Sequence, residues 1–355
     1  MLKIERTMDL EPVYDITVPE TSNFFANGIL VHNCIEITNF AGRDHHGKDR
    51  TAVCCLSSIN QEKTDEFWPY IDMLVEDGLR FLDNVLQWFI DNAPAEMERA
   101  KYSAMMERSV GLGVMGFHGY LQSKGIPFES ALAKSQNMRF FSRLRDASDA
   151  ANARLAEERG ACPDAAEHGY SMRFTNMLAI APTASISTIA GSSPGTEPVY
   201  ANIFTQKTLD GAFEVRNPHL ERLLESRGLN TQEMWTDIAM NKGSVQHIEA
   251  LTEWERDVFK TAFELDQRWI VDHAADRQPF ICQSQSTNLF MRPDVSKSEL
   301  LGVHVRAWKR GMKSLYYLRS ESIGTSGSIS KRIERVRLDE EPTDKPWEEP
   351  CLACQ

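Results

Sequence analysis

The chain has 355 residues, 42% hydrophobic and 25% charged, and 39 basic against 51 acidic side chains give a net charge of −12. This suits a folded protein with a sizeable core, as two ordinary domains or one large α/β domain, and excludes a disordered chain. The acidic balance excludes a general nucleic-acid binder, which needs a basic face. No apolar run reaches the roughly 18 residues of a membrane span, and the opening MLKIERTMDLEP is charged where a signal peptide is apolar. No membrane partner is expected, and the location expected is cytoplasmic. The seven cysteines, at 34, 54, 55, 162, 282, 351 and 354, are an odd number thinly spread, unlike a disulfide framework. Cys162 and Cys282 read as small buried fillers.

In chain order, Val13–Val18 and Phe24–Val31 read as strands, with Asn27-Gly28 a tight-turn signal. Residues 41–50 read as a polar loop and Thr51–Leu56 as a short buried strand. Apolar residues from 64 to 92 recur at helical spacing, and Pro94 ends the segment. Further helices are predicted over 95–109, 131–159 (stopped by Gly160), 218–227, 249–275 and 298–312, with strands at Pro279–Cys282 and Ser314–Leu318. Long helices alternating with short apolar strands predict an α/β domain with crossover connections. Residues 336–355 are acidic, Pro-containing and aperiodic, which predicts a mobile tail.

The run His32-Asn33-Cys34 has the residue types of a self-excising peptide junction. An Asn amide can attack its own carbonyl and cut the chain after itself, a neighbouring His can shuttle the proton, and a following Cys can accept an upstream segment as a thioester. Together with Val13-Tyr14-Asp15, Asn23-Phe24 and Asn27–Val31, residues 1–33 resemble the carboxy-terminal end of an intein, a small all-β (Hint-type) segment. The resemblance implies splicing roles for Asp15, His32, Asn33 and Cys34. Ser22 stands where such inteins often carry His, which leaves more of the work to His32 and Asp15. With so few residues before Val13, the block reads as the carboxy-terminal piece of a split intein that splices in trans with a separate fragment. The alternative is a chain truncated at its amino end.

From Cys34 onward, the ordered motifs Cys34-Ile35-Glu36, Thr51–Asn60, Arg108–Phe117, Ile180–Ser187, Pro194–Pro198 and Leu315–Arg319 resemble the catalytic large subunit of class I ribonucleotide reductase. The resemblance covers nearly all of 34–355 and only the later part of that subunit. It implies the carboxy-terminal part of a ten-stranded α/β barrel over 34–335, after the intein segment 1–33 and before a redox-active tail 336–355. It further implies Cys34 as the thiyl radical that removes the ribose 3′-hydrogen and Glu36 as the base for the 3′-OH. Cys54 is one of two reducing thiols, and the motif favours it over Cys55, which neighbours on a strand would turn the other way. Pro182-Thr183-Ala184-Ser185-Ile186 would bind substrate phosphate, although an ordinary helix cap is the plainer reading of those residues taken alone.

Tyr316-Tyr317 would relay the radical, and this pair favours class I over a cobalamin-dependent class II enzyme. Cys351-Leu352-Ala353-Cys354 reads as a dithiol that re-reduces the site, since a single CxxC supplies only two zinc ligands. No cofactor bound by the chain itself is implied: the radical comes from a metal-containing small subunit and electrons from thioredoxin or glutaredoxin. The other implied partners are the upstream intein–reductase fragment, a ribonucleoside diphosphate, and a second copy in a homodimer of the spliced subunit. By the same comparison the chain lacks the second reducing Cys, a catalytic Asn and the allosteric region, so alone it would be inactive and would fold properly only with its partner fragment. A fragment that binds the reductase without splicing is the competing reading. Gly111–Gly116 matches a dinucleotide fingerprint without the βαβ context it needs, so helix packing on glycine is expected there. His45-His46 read as a solvated loop with no acidic partner at ligand spacing, and no metal site is expected.

Overall fold

A computed structural model describes residues 35–208 and 211–320 and, before them, the backbone of a hairpin. The expected strand 13–18 and the candidate residues Asp15, Asn33, Cys34, Cys351 and Cys354 lie outside the described residues. The hairpin pairs β1 (Asn23–Ala26) antiparallel with β2 (Ile29–His32), Ala26 facing Ile29. A second small hairpin, β3 (Gly42–Arg43) with β4 (Asp49–Arg50), lies in the loop that follows.

The main chain of elements then runs β5 (Leu56–Asn60), α1 (Thr64–Phe67), α2 (Ile71–Asn92), α3 (Glu98–Glu107), β6 (Gly111–Met115), α4 (Phe117–Ser123), α5 (Ala131–Arg159), α6 (Pro163–Glu167) and α7 (Ala184–Ile189). It continues through β7 (Ile203–Thr208), β8 (Gly211–Arg216), α8 (Pro218–Ser226), α9 (Gln232–Met240), α10 (Glu253–Val258), α11 (Gln267–Arg277), β9 (Leu289–Met291), α12 (Lys297–Lys309) and β10 (Leu318–Ser320).

Parallel pairing organises these elements. β5 pairs with β6, Leu112 bridges Leu178, Ile180 bridges Gln285, and β9 pairs with β10, every pairing parallel. Parallel neighbours need long crossovers, and the helices supply them. α2 and α5 pack across this ladder. Ile71, Val75, Leu79, Leu82, Leu86 and Ile90 of α2 meet Phe140, Phe141, Leu144, Ala151 and Leu155 of α5 in one buried cluster. Each such side chain contributes about 1.5–3 kcal/mol by leaving water. Helix α5 starts where Ser130 caps the Ala133 N–H and stops at Gly160, whose φ of +85° few other residues adopt.

Several expected elements shift. The strand expected at 51–56 begins only at Leu56. The helix expected over 249–275 is two, because Asp266 caps a fresh start at α11 while the Glu264 carboxylate takes the Thr261 N–H before it. Pro279–Phe280 close a 3-10 turn rather than a strand, Pro279 sitting in the first turn where its missing N–H costs nothing. The last strand is displaced to Leu318–Ser320. Gly111–Met115 is itself a strand, so its glycines serve sheet packing rather than helix packing: a Cβ on Gly113 would lie 2.4 Å from the Ala179 carbonyl oxygen.

Candidate active site

Glu36 is fully buried, and the segment carrying it is held by the run Gln283–Asn288. Its carbonyl accepts the Ser284 N–H at 2.9 Å, and Thr38 gives its N–H to Gln283 Oε1 at 3.1 Å. One carboxylate oxygen accepts a short hydrogen bond from the Ser286 hydroxyl, and the Ser284 and Ser314 hydroxyls bond to each other. Burying a carboxylate is costly unless donors meet it, and the Ser286 hydroxyl is one such donor.

The run 283–288, Gln-Ser-Gln-Ser-Thr-Asn, is polar throughout, yet none of its residues is more than 3% exposed. Its backbone alternates with the 178–180 segment, Gln283 N–H to Leu178 O at 3.1 Å and Ser286 N–H to Ile180 O at 2.9 Å. Its side chains are also engaged: Gln283 Nε2 donates to Val110 O, and Gln285 Oε1 accepts from Arg277 Nε at 2.6 Å. Burial pulls the Arg277 guanidinium down to about 9. Sequence reasoning missed Ser284, Ser286, Asn288 and Ser314. The available signal was a six-residue polar run set between the apolar stretches Phe280–Cys282 and Leu289–Met291.

The same run carries the tyrosines. Tyr316 N–H donates to Thr287 O at 2.8 Å, Leu289 N–H to Tyr317 O at 2.9 Å, and Tyr317 N–H to Asn288 Oδ1 at 2.9 Å. The two rings lie with centroids 4.0 Å apart, inclined by 42°. Asn288 is fixed in turn by buried Glu197, whose carboxyl burial pushes above the usual carboxylate range. Glu36 and the tyrosine pair are thus fastened to one polar segment, 283–288.

The adjacent cysteines part. Cys54 is exposed, whereas Cys55 is 8% exposed and its thiol points to Leu82 O at 3.7 Å. Burial, with the Asp83 carboxylate adding to it, pushes the Cys55 thiol up to about 11. Cys162 is buried, but Cys282 is only half-buried, and its sulfur accepts the N–H groups of Met177 and Leu178 at 3.2 and 3.1 Å. That sulfur takes ladder donors as a carbonyl would, a role beyond filling space.

In Pro182–Ile186, Pro182 and Thr183 are buried and Ile186 is exposed. Thr183 adopts φ +56° and makes no capping bond to α7, so the ordinary-cap reading fails. Its hydroxyl instead accepts the Gly195 N–H at 2.6 Å, tying this turn to the loop that leads to Glu197. The expectation for His45-His46 is also corrected: Glu167, remote in sequence, brings its carboxylate within 3.0 Å of both Nε2 atoms. Among the described residues no helix is long and apolar enough to cross a membrane.

Comparison with known proteins gives a consistent result. The family described as ribonucleotide reductase, barrel domain, matches residues 20–171 and 164–318. The match thus starts inside the segment 1–33 that resembles an intein. The chain is 46% identical over 336 residues to the ribonucleoside-diphosphate reductase large subunit of Invertebrate iridescent virus 6, covering 93% of this chain and 34% of that protein. It is 45% identical to a putative ribonucleoside-diphosphate reductase large subunit of Frog virus 3, covering 86% of this chain and 53% of that one. Among solved structures, the class Id ribonucleotide reductase alpha subunit of Actinobacillus ureae superposes with a TM-score of 0.70 at 38% identity, over 76% of this chain and 50% of that one. The chain therefore spans about a third to a half of the length of these relatives. A family match that runs through the ladder, the buried polar segment 283–288 and the tyrosine pair makes this chain a member of the ribonucleotide reductase large-subunit barrel-domain family.

Proposed function

We propose that the chain supplies the later part of the catalytic subunit of a class I ribonucleoside-diphosphate reductase, which replaces the ribose 2′-OH by hydrogen to make deoxyribonucleotides. The observation that carries this reading is the attachment of Glu36 and the Tyr316–Tyr317 pair to the one buried segment 283–288. In this reading the tyrosines pass the radical from a metal-containing small subunit to Cys34. The Cys34 thiyl takes the 3′-hydrogen while Glu36 takes the 3′-OH proton. Cys54 and a second thiol from the upstream part of the subunit then give up two electrons and two protons as the 2′-OH leaves as water. Once the 2′ position is reduced, Cys34 returns the hydrogen to C3′, regaining its radical, as Glu36 returns the proton. The Cys351–Cys354 dithiol returns the resulting disulfide to thiols and is itself reduced by thioredoxin or glutaredoxin. Residues 182–186 receive the diphosphate, and the assembled subunit works as a homodimer.

In this reading the 355 residues by themselves are inactive, because they span only about a third to a half of the length of the relatives they match. The test is turnover of a ribonucleoside diphosphate by this chain assembled with an upstream fragment and the small subunit. Glu36→Gln is expected to lower turnover by roughly two orders of magnitude, as for loss of a general base. Turnover by the pure chain with the small subunit alone, or full activity of the Gln variant, would overturn it. Cobalamin-dependent turnover would instead favour class II, and binding without turnover a non-catalytic fragment.

A second reading concerns the amino end: residues 1–33 are the carboxy-terminal part of an intein, excised at Asn33 as Cys34 is joined to an upstream segment in trans. Supporting it are the His32-Asn33-Cys34 order and the hairpin immediately before it. Co-expression with the matching fragment, read by intact mass, is expected to give one product carrying residues 34–355. Asn33→Ala is expected to block release of 1–33, and normal release in that variant would sink the reading.

A further inference from the structure

Away from the active site, two elements far apart in sequence bring three metal-ligating side chains together. We propose that His45, His46 and Glu167 form a surface site for one zinc-class divalent ion, which ties the loop 42–50 to helix α6.

The geometry begins with a turn. Asp44 O accepts the Gly47 N–H at 3.0 Å, and Gly47 has a φ of +73°. Asp44 Oδ1 takes the N–H groups of His46 and Lys48 at 3.0 and 2.9 Å. His45 and His46 therefore occupy the two central positions of a β-turn that Asp and Gly favour at its ends. Consecutive side chains on a strand would point to opposite faces. At this turn the two rings lie with centroids 3.9 Å apart.

Glu167 completes the set. His45 Nε2 is 3.0 Å from Oε2, and His46 Nε2 is 3.0 and 3.2 Å from Oε1 and Oε2. The three ligand atoms lie within 4.8 Å of one another. Ligands about 2.0–2.2 Å from a tetrahedral ion stand roughly 3.4 Å apart, so small movements at the side-chain tips would admit one. Two imidazoles and a carboxylate suit zinc, nickel or copper better than magnesium or calcium, and a fourth position is left for water.

A single buried residue holds both halves in place. The Arg50 side chain is 4% exposed and pairs with Asp44 of the turn at 2.8 Å and with Asp164 of α6 at 2.8 Å. Tyr102 Oη also donates to Asp44, at 3.0 Å. Asp164 lies one helical turn before Glu167 on α6. The clamp between turn and helix is thus present without an ion, and binding would cost little ordering. The loop lies between Glu36 and Cys54 in sequence, so the ion would brace the segment joining two active-site positions.

The test is calorimetric titration of Zn²⁺ into the full chain carrying C351S and C354S, which removes the tail dithiol. One ion per chain is expected, bound roughly tenfold or more weakly in E167Q and not at all in H45A/H46A. A zinc-dependent rise in Tm is expected and should shrink in E167Q, whose metal-free Tm stays at that of the parent, and disappear in H45A/H46A. The proposal is overturned by the absence of saturable binding, or by affinity unchanged in both E167Q and H45A/H46A. Should E167Q fold poorly, the histidine variant, changed only at exposed positions, decides alone.

Discussion

Asn288 gives both its backbone N–H and its side-chain amide to Glu197, at 2.8 and 3.1 Å, while its Oδ1 receives the backbone N–H of Tyr317 at 2.9 Å. One side chain thus joins a buried carboxyl to the backbone of the tyrosine pair. Asn288→Ala leaves Glu197 short of one donor and the Tyr317 N–H without its acceptor. A buried polar group left unpaired costs about 1–3 kcal/mol, so a loss of roughly 2–4 kcal/mol is expected in urea unfolding. Glu197→Gln should cost about 1–3 kcal/mol, because both carboxyl oxygens accept from Asn288 and the amide NH2 of Gln cannot accept one of those bonds. In the assembled reductase the Ala variant should also slow turnover, since it loosens the support of Tyr317.

Glu107 makes stability depend on pH. It is 5% exposed, and burial pushes its carboxyl from 4.5 up to about 7 despite a 3.0 Å hydrogen bond from Ser103. The folded chain therefore keeps a proton that the unfolded chain releases. The stabilisation is complete below about pH 4.5, is lost as pH rises towards 7, and levels off above. Its full size is roughly 3 kcal/mol. Glu107→Gln should match the parent near pH 4.5 and exceed it by up to that amount at pH 8. Denaturant midpoints at the two pH values check this, and equal midpoints at pH 8 would refute it.

The helices were legible because their signals are local. The buried α2 positions repeat at helical spacing, and Ser130 and Gly160 mark both ends of α5. The burial of Gln283–Asn288 was not legible, because the segment is polar and reads as loop. Much of its burial comes from partners 100 or more residues away, such as Val110, Leu178 and Glu36. The catalytic motifs were visible as residue types in order, whereas the serines and Asn288 that hold them appear only once distant segments meet. Glu167 escaped for the same reason: nothing near His45 and His46 in sequence announces it.

The glycines of β6 separate a packing role from a conformational one. A Cβ on Gly113 would meet the Ala179 carbonyl oxygen at 2.4 Å, and that backbone belongs to the next pass of the ladder. Gly113→Ala should therefore cost about 2–4 kcal/mol through strand separation. Gly78, inside α2, has only the Leu112 methyls at 3.4 Å around its added Cβ. Gly78→Ala should be neutral or stabilising by up to about 1 kcal/mol, from helix propensity alone. Urea midpoints of the two variants should move in opposite directions or at least differ by that sum.

Cys54 and Cys55 should differ chemically as sharply as they differ in placement. Cys54 is exposed, and a thiol disulfide of the kind proposed for it requires such access. Cys55 lies under α2 with its thiol pushed up to about 11, so at pH 8 only about one molecule in a thousand carries the thiolate. Brief iodoacetamide treatment of the folded chain, followed by peptide mass mapping, should label Cys54 at least tenfold faster than Cys55. Denaturing the chain first should equalise the two rates. Cys55→Ala should lower stability by about 1 kcal/mol through the lost sulfur contacts and leave turnover of the assembled enzyme in place, whereas Cys54→Ala should abolish turnover at little cost in stability. Equal labelling in the folded chain, or turnover lost in the Cys55 variant at unchanged stability, would exchange the roles of the two cysteines.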